Sequence, residues 1–226
     1  MKQYNWDQDR NKRTGVPEAV YCEGKSVEQI DCIITESIEV KRSILLTRLS
    51  QEKFNALPDV SKTQLDYCGL SKTAILNQSQ AQAAKLNPAQ IVIVAAGTSD
   101  AAVAKEIARV LEFNGQNSDI ILDVGVAGLW RLLDRIDEIR TYPIVIGCAG
   151  MEGALFSVLA GLIDAPLIAV PTSVGYGVSA NGKTALESAL ASCSPGIMTM
   201  NIDNGFGAAA AALKMLNAFH KLKGSC

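Results

Sequence analysis

The chain of 226 residues is long enough for one substantial domain with an appendage, or for two small domains. Hydrophobic residues make up 48% of it and charged residues 19%, which allows a sizeable core and argues against wholesale disorder. A formal net charge of −2 provides no basic footprint, so neither nucleic acid nor a membrane surface is expected as a partner.

The cysteines and the longest apolar stretch indicate the compartment. The chain has 6 cysteines, without a CxxC pair, and His220 is its only histidine. A disulfide framework and a zinc site are therefore not expected, no metal ligand can be assigned, and a reducing cytoplasm is the expected location. Residues 154–170 are apolar but are interrupted by Asp164 and Pro166, and they fall short of the ~20 apolar residues of a membrane-spanning helix.

Residues 1–88 carry much of the charge and are predicted to form a smaller α/β appendage. Ser26 begins a predicted helix, with Gln29 as the capping-box partner three residues later. One face of this helix carries Ile30, Ile33, Ile34 and Ile38. Residues 43–49 are predicted to be a short strand. Residues 50–88 are predicted to be helical or loop-like, with Pro88 interrupting any regular structure.

Residues 89–226 are predicted to form the main α/β domain. From Ile91 onwards, five short apolar runs alternate with helical patterns, and the runs are apolar throughout rather than alternating with polar residues. This pattern predicts a parallel sheet with helices on both faces, a three-layer sandwich. Ligands of such sheets bind outside the carboxyl ends of the strands, where this chain has glycine-rich segments. The domain is therefore expected to bind a phosphate-bearing small molecule and to be an enzyme.

The first strand exit is a candidate phosphate-binding loop. Free backbone N–H groups at the start of a helix attract anions, and hydroxyl groups can donate as well. The candidate residues are Gly97, Thr98, Ser99 and Asp100. The alternative is an ordinary helix cap formed by Ser99 or Asp100. The second strand exit adds the candidate binding residues Asp123, Gly125, Ala127 and Gly128.

The third strand exit and a later turn supply the candidate catalytic groups. Glu152 lies among Gly150, Met151 and Gly153, where a carboxylate can act as a general acid or base, or can simply face water. Cys193 lies on a turn before the fifth strand, expected at the same edge of the sheet; it is a candidate nucleophile, or an inert thiol. A papain-like hydrolase is not expected without a histidine partner.

Two further groups of residues are weaker candidates. Residues 201–205 form a segment that can bind a ribose or a metal, or can simply be a turn. Four basic residues can bind a second phosphate or a carboxylate, or can be solvated surface charge. They are Arg10, Arg13, Lys25 and Arg48.

The glycine-rich segments together resemble a known family. The segments AGTSD, DVGVAG, AGMEGAL, VPTSVGYG, SCSPG and NIDNGFGA are similar to those of the PurE fold of aminoimidazole ribonucleotide carboxylases and mutases, and most specifically to the LarB family of nickel-pincer cofactor biosynthesis. The resemblance covers about residues 91–212, and it extends upstream into DQDRNKRTGVPEAVYCEGKSVEQI. The fold it implies is a flavodoxin-like α/β sandwich.

The resemblance to LarB implies a specific reaction. It implies carboxylation by CO2 of C5 of the pyridinium ring of nicotinic acid adenine dinucleotide, with magnesium, and hydrolysis of the phosphoanhydride to pyridinium-3,5-biscarboxylic acid mononucleotide and AMP. Cys193 matches the nucleophile, and Glu152 suits the proton acceptor near C5. The PurE-like relatives imply a homo-octamer, and the small residues of the closing helix, AAAAALKML, allow close approach of another element.

One departure separates the chain from the purine enzymes. They carry a catalytic histidine in the loop after the second strand, where this chain has DVGVAG. Two alternatives stay open: carboxylase or mutase chemistry on a purine ribonucleotide, and a nucleotide-binding module without catalysis.

Overall fold

The computed structural model describes residues 4–77 and 89–223. The N-terminal region (residues 4–77) contains a mixed sheet in the order β1-β2-β4-β3, in which β1 and β2 are parallel and the other pairs are antiparallel. Its strands are β1 (Ala19–Tyr21), β2 (Ile44–Thr47), β3 (Leu65–Cys68) and β4 (Thr73–Leu76). Its helices are α1 (Arg10–Thr14), α2 (Val27–Glu39), α3 (Gln51–Ala56) and α4 (Asp59–Lys62).

Helix α2 begins where the sequence predicts. The Ser26 hydroxyl accepts a hydrogen bond from the Gln29 N–H at 3.3 Å, and the Gln29 side-chain oxygen accepts one from the Ser26 N–H at 3.0 Å. This reciprocal pair satisfies two backbone donors at the helix start. Ile30, Ile33 and Ile34 are buried against the sheet. The predicted capping box, apolar face and β2 strand are thus confirmed.

The prediction for residues 50–88 was partly wrong. Helices α3 and α4 lie there, but residues 65–76 form the antiparallel pair β3 and β4. The four residues of β4, Thr73–Leu76, are buried, and its side chains enter core clusters on both faces of the sheet, Ile75 on one and Ala74 and Leu76 on the other. Such a short run has no period of its own, and tertiary pairing determines its state. Residues 78–88, including Pro88, lie outside the described residues.

The C-terminal region (residues 89–223) contains the predicted parallel sheet. Its strands are β5 (Ile91–Ala95), β6 (Ser118–Ile121), β7 (Ile144–Ala149), β8 (Leu167–Pro171) and β9 (Ile197–Thr199). Their order is β6-β5-β7-β8-β9, and every neighbouring pair is parallel. Every residue of β5, β7 and β8 is buried, as expected for a sheet covered on both faces.

The helices of this region follow the strands in turn. They are α5 (Ala101–Phe113), α6 (Leu129–Leu133), α7 (Ile136–Ile139), α8 (Ala154–Leu162), α9 (Lys183–Ala191) and α10 (Gly205–Lys223). Two core clusters, one on each side of the sheet, confirm the three-layer architecture. Among the described residues, no helix combines the length and the apolar composition that crossing a membrane requires.

The small residues of α10 have a different role from the expected one. Ala208, Ala209 and Ala212 are fully buried in the core cluster that also holds Ile107 and Val110 of α5. Small side chains let these two helices approach closely. The element that approaches the alanines is therefore a helix of the same chain, so they give no argument for an oligomer.

The two regions share one packed core. Leu45 and Ile75 of the N-terminal sheet lie in the same cluster as α5. Arg109 of α5 reaches back to β3, where it donates to the Asp66 carboxylate at 2.6 Å and to the Asp66 carbonyl at 2.7 Å. These contacts fix the N-terminal sheet against α5, the helix that follows the first glycine-rich loop.

Candidate active site

A cavity of about 320 Å³ lies at the carboxyl ends of β5 and β7, beside the loop that follows β6. We call it the loop pocket. Its lining includes eight residues predicted from the sequence, namely Gly97, Ser99, Asp100, Gly125, Ala127, Gly150, Met151 and Glu152. Ala96, Val126, Ala149, Ala154, Leu155 and Val174 complete the lining. The first three strand exits therefore converge on one site.

The buried side chain of Asp100 holds the loops of this pocket together. Its side chain is buried; one carboxylate oxygen accepts from the Gly97 N–H at 2.9 Å and the other from the Thr172 hydroxyl at 2.6 Å. Burial raises the pKa of Asp100, and the hydrogen bonds from Thr172, Gly97 and Gly150 oppose that rise. Asp100 thus ties the loops after β5, β7 and β8 together, and its interactions are with the protein itself.

Two glycines permit the close approach of these loops. A Cβ atom on Gly150 would lie 2.1 Å from the Val174 carbonyl oxygen, and one on Gly125 would lie 2.8 Å from the Ala96 carbonyl oxygen. Real Cβ atoms do not come this close to backbone atoms, so any other residue would push the loops apart. Glycine at these two positions is a requirement of the pocket's shape.

The third loop presents its carboxylate to solvent. Met151 has a left-handed backbone, with φ of 52°, and its N–H donates to the Val174 carbonyl at 2.7 Å. Glu152 follows as an exposed residue that lines the loop pocket. Gly153, also left-handed with φ of 66°, then starts α8 and packs against Ala185. The carboxylate of Glu152 is therefore accessible to a ligand in the pocket.

Some predicted binding residues do not line the pocket. Thr98 is exposed on the first loop. Asp123 accepts a hydrogen bond from Arg131 at 2.5 Å, and Gly128 lies beside the same guanidinium group. Lys25 lies in the N-terminal region, where its carbonyl accepts from the Lys53 ammonium group at 2.8 Å. Thr98, Asp123 and Gly128 thus belong to the loops beside the pocket, whereas Lys25 belongs to the N-terminal region.

Cys193 lies elsewhere than the sequence suggested. Its turn runs from the end of α9 into the start of β9, and in a parallel sheet such helix-to-strand turns lie towards the amino ends of the strands. The adjoining Ser192 hydroxyl is 2.7 Å from the Ser157 hydroxyl of α8. Cys193 is exposed, and it is absent from the described lining of the loop pocket. The expectation that its turn lies at the same edge of the sheet as the glycine-rich strand exits was wrong.

Arg48 occupies the junction between the two regions. It has a left-handed backbone, with φ of 54°, and its guanidinium group donates to the Asp203 carbonyl. Its Nε lies 4.0 Å from Oε1 of Glu106 on α5. Asp203 is also left-handed, with φ of 54°, and its carboxylate accepts from the Ser173 N–H at 2.8 Å. The predicted segment 201–205 therefore contacts a predicted basic residue.

Glu106 is a functional candidate that the sequence analysis missed. It is 5% exposed, and burial raises its pKa to about 7, against the opposing effect of Arg48. Strongly shifted carboxyl groups beside cavities are common in functional sites. A glutamate on the otherwise apolar face of α5, beside Ala104 and Ile107, was the available signal.

Metal binding has no support from the described side chains. No cluster of three or more His, Cys, Asp or Glu side chains suited to a metal ion occurs within residues 4–77 and 89–223. Magnesium sites often combine one or two carboxylates with substrate phosphates and water. The described residues therefore identify no ligand set for the magnesium that the resemblance implies.

Comparison with known proteins gives a consistent result. Residues 1–79 match the family described as the LarB/PurE-like N-terminal domain. Residues 90–223 match the family described as AIR carboxylase. The chain is also 38% identical over 223 residues to an uncharacterized protein of Methanocaldococcus jannaschii, covering 95% of this chain and 84% of that relative. Because the two family matches lie in tandem over most of the chain, the protein belongs to the LarB family of the PurE superfamily, a group of the carboxylase and mutase type.

Proposed function

We propose that this protein carboxylates C5 of the pyridinium ring of nicotinic acid adenine dinucleotide with CO2. It also hydrolyses the phosphoanhydride, giving pyridinium-3,5-biscarboxylic acid mononucleotide and AMP. The observation that carries the proposal is the loop pocket, which combines an anion-binding type of loop with the accessible carboxylate of Glu152. The chain's single histidine, His220, lies on the exposed part of α10 and is not in the described lining. The pocket therefore suits a carboxylation mechanism in which no histidine takes part.

The chemistry needs a nucleophile that can leave again. A pyridinium ring is electron-poor and cannot attack CO2. Addition of a thiolate at C4 gives a neutral dihydropyridine, whose C5 is an enamine carbon. C5 attacks CO2, a base removes the C5 proton, and the thiolate leaves C4 as the ring regains aromaticity. The net change replaces the C5 hydrogen with a carboxylate and releases one proton, so no oxidant is required.

Cys193 and Glu152 are the residues proposed for these steps. The positive charge of the ring favours the thiolate form of a nearby cysteine. Glu152 accepts the C5 proton, as an accessible carboxylate next to the bound ring can. The phosphate of the nicotinate half is proposed to bind at residues 97–99, where Ser99 lines the loop pocket from the helical turn that precedes α5.

The proposed mechanism needs a second copy of the chain at each site. Cys193 does not line the loop pocket of its own chain, and we propose that a neighbouring chain supplies the thiol. Large apolar side chains are exposed after β6 and β8, notably Trp130, Tyr176 and Val178. Exposed apolar residues around a pocket are typical of an interface. The homo-octamer expected from the family is proposed as the assembly that unites the residues.

A trapping experiment tests the roles of the two residues. NAD, the amide analogue of the substrate, is expected to form a C4 adduct with the protein, seen as dihydropyridine absorbance and mapped by mass spectrometry to Cys193. Cys193→Ser is expected to abolish both adduct and carboxylation, because an alkoxide is far harder to form than a thiolate. Glu152→Gln is expected to retain the adduct and to lower carboxylation by ~100-fold or more.

Cys32 provides the matched control, because it is also an exposed cysteine. Cys32→Ser should keep the adduct and the activity. Wild-type carboxylation by Cys193→Ser, or an adduct on another cysteine, would refute the mechanism. If the protein is instead a nucleotide-binding module without catalysis, Cys193→Ser and Glu152→Gln should both leave its function unchanged.

A further inference from the structure

A second cavity, of about 440 Å³, lies between the N-terminal region and the segment that follows β9. We call it the junction cavity. Arg10, Tyr21 and Arg48 line it from one side, and Asn201 and Phe206 line it from the other. Neither region forms it alone. The cavity is within the range of volumes that hold a ligand of nucleotide size.

The side chains of the junction cavity suit a nucleotide. Arg10 and Arg48 provide guanidinium groups, which bind phosphate through paired hydrogen bonds. Phe206 provides an aromatic ring against which a base can stack. The side-chain oxygen of Asn201 is held by the Ile202 N–H at 2.9 Å, so its NH2 group is the end that can donate to a base or a ribose.

The buried Glu106 adjusts the charge of this cavity. It lines the cavity behind Arg48, and with a pKa of about 7 it is largely neutral below that pH. A neutral Glu106 leaves the carboxylates of Glu23 and Asp203 facing the guanidinium groups of Arg10 and Arg48. An incoming phosphate therefore meets less negative charge in the cavity below pH 7 than above it.

A third cavity lies between the junction cavity and the loop pocket. This smaller cavity, of about 190 Å³, shares Arg48, Glu106 and Asp203 with the junction cavity. It shares Ser99 and Val174 with the loop pocket. The three cavities therefore adjoin one another, in an order that leads from Glu152, past Ser99 and Arg48, to Arg10.

We propose that the junction cavity binds the second half of a dinucleotide, a nucleoside 5′-monophosphate unit, with its phosphate at Arg10 and Arg48 and its base against Phe206. This rests on the proposed function for the identity of the first half, which occupies the loop pocket. A dinucleotide bound across the adjoining cavities has its phosphoanhydride near Ser99 and Arg48, which line the cavity between the two sites. The N-terminal region then serves to build the second nucleotide site.

Titration of the full chain with AMP, followed by calorimetry, tests the site. Arg10→Gln is expected to weaken AMP binding at least ~10-fold, because a charge-assisted phosphate contact is lost. Arg13→Gln is the matched control: it lies on the same helix, but its guanidinium group donates to Asp7 at 2.6 Å, and it does not line the cavity. That variant should bind AMP within about twofold of the wild type.

Two results would overturn the site: no AMP binding by the wild-type chain, or equal AMP binding by wild type and Arg10→Gln. Either result together with carboxylation of the dinucleotide would refute this site and leave the proposed function intact. Conversely, AMP binding that depends on Arg10 in a chain without carboxylase activity would support the nucleotide site and refute the proposed function.

Discussion

Glu106 shows how a single residue can link stability to the site. Its carboxyl group is buried on α5 within reach of Arg48, and its pKa is raised from 4.5 to about 7, mainly by burial. A raised pKa means that the folded chain holds this proton more tightly than the unfolded chain. The contribution to stability is therefore fully present below pH 4.5 and is lost as the pH rises towards 7.

The corresponding prediction concerns Glu106→Gln. The wild type is expected to lose roughly 2–3 kcal/mol of unfolding free energy relative to this variant between pH 5 and pH 8, because only the wild type must bury a charge. Urea unfolding at the two pH values measures the difference. Glu187→Gln, an exposed change on α9, retains Glu106, so its unfolding free energy should differ from that of the wild type by the same amount at both pH values. Equal behaviour of the two variants would contradict the account of Glu106.

At the residue scale, the sequence predicted the types of group better than their partners. Gly97, Gly125, Gly150 and Glu152 line one pocket as predicted, because the carboxyl ends of parallel strands share an edge of the sheet. The function of Asp100 was not predictable, since its partner Thr172 is 72 residues away. The Arg48 contact with Asp203 spans 155 residues, and no local pattern encodes it.

At the scale of elements, the sequence predicted the continuous apolar strands correctly, but it did not predict the shortest strands. The strands β5, β7 and β8 are continuous apolar runs that end at glycine or proline, so their boundaries follow from the sequence. The strands β3 and β4 are four residues each. They are recognisable as strands only because they pair with each other and because β4 also pairs with β2. The position of the Cys193 turn was misjudged because it leads into a strand rather than out of one.

The alanines of α10 lead to a prediction about this helix. Ala212→Leu is expected to cost about 1–3 kcal/mol of unfolding free energy, because the added methylenes have no room against α5. The oligomeric state, measured by light scattering, should not change. Lys214→Ala, an exposed change on the same helix, should leave both quantities as they are. Dissociation caused by Ala212→Leu without loss of stability would show that these alanines form a contact between chains.

At the scale of the whole molecule, the central geometric claim is that each site takes Glu152 from one chain and Cys193 from another. Mixing the two inactive variants, Cys193→Ser and Glu152→Gln, in one oligomer should therefore restore about a quarter of the wild-type activity, since random assembly pairs an intact thiol with an intact carboxylate in that fraction of sites. Co-expression with two different tags isolates the mixed oligomers. Mixed oligomers that form and remain inactive would show that both groups act within one chain.

The chemical claim has its most direct test in one incubation. The full chain is supplied with nicotinic acid adenine dinucleotide, ¹³C-labelled bicarbonate and magnesium, and the products are identified by mass spectrometry. The account predicts AMP together with a pyridinium mononucleotide that carries one labelled carboxyl group. Unchanged dinucleotide, in a preparation that instead carboxylates aminoimidazole ribonucleotide, would contradict it.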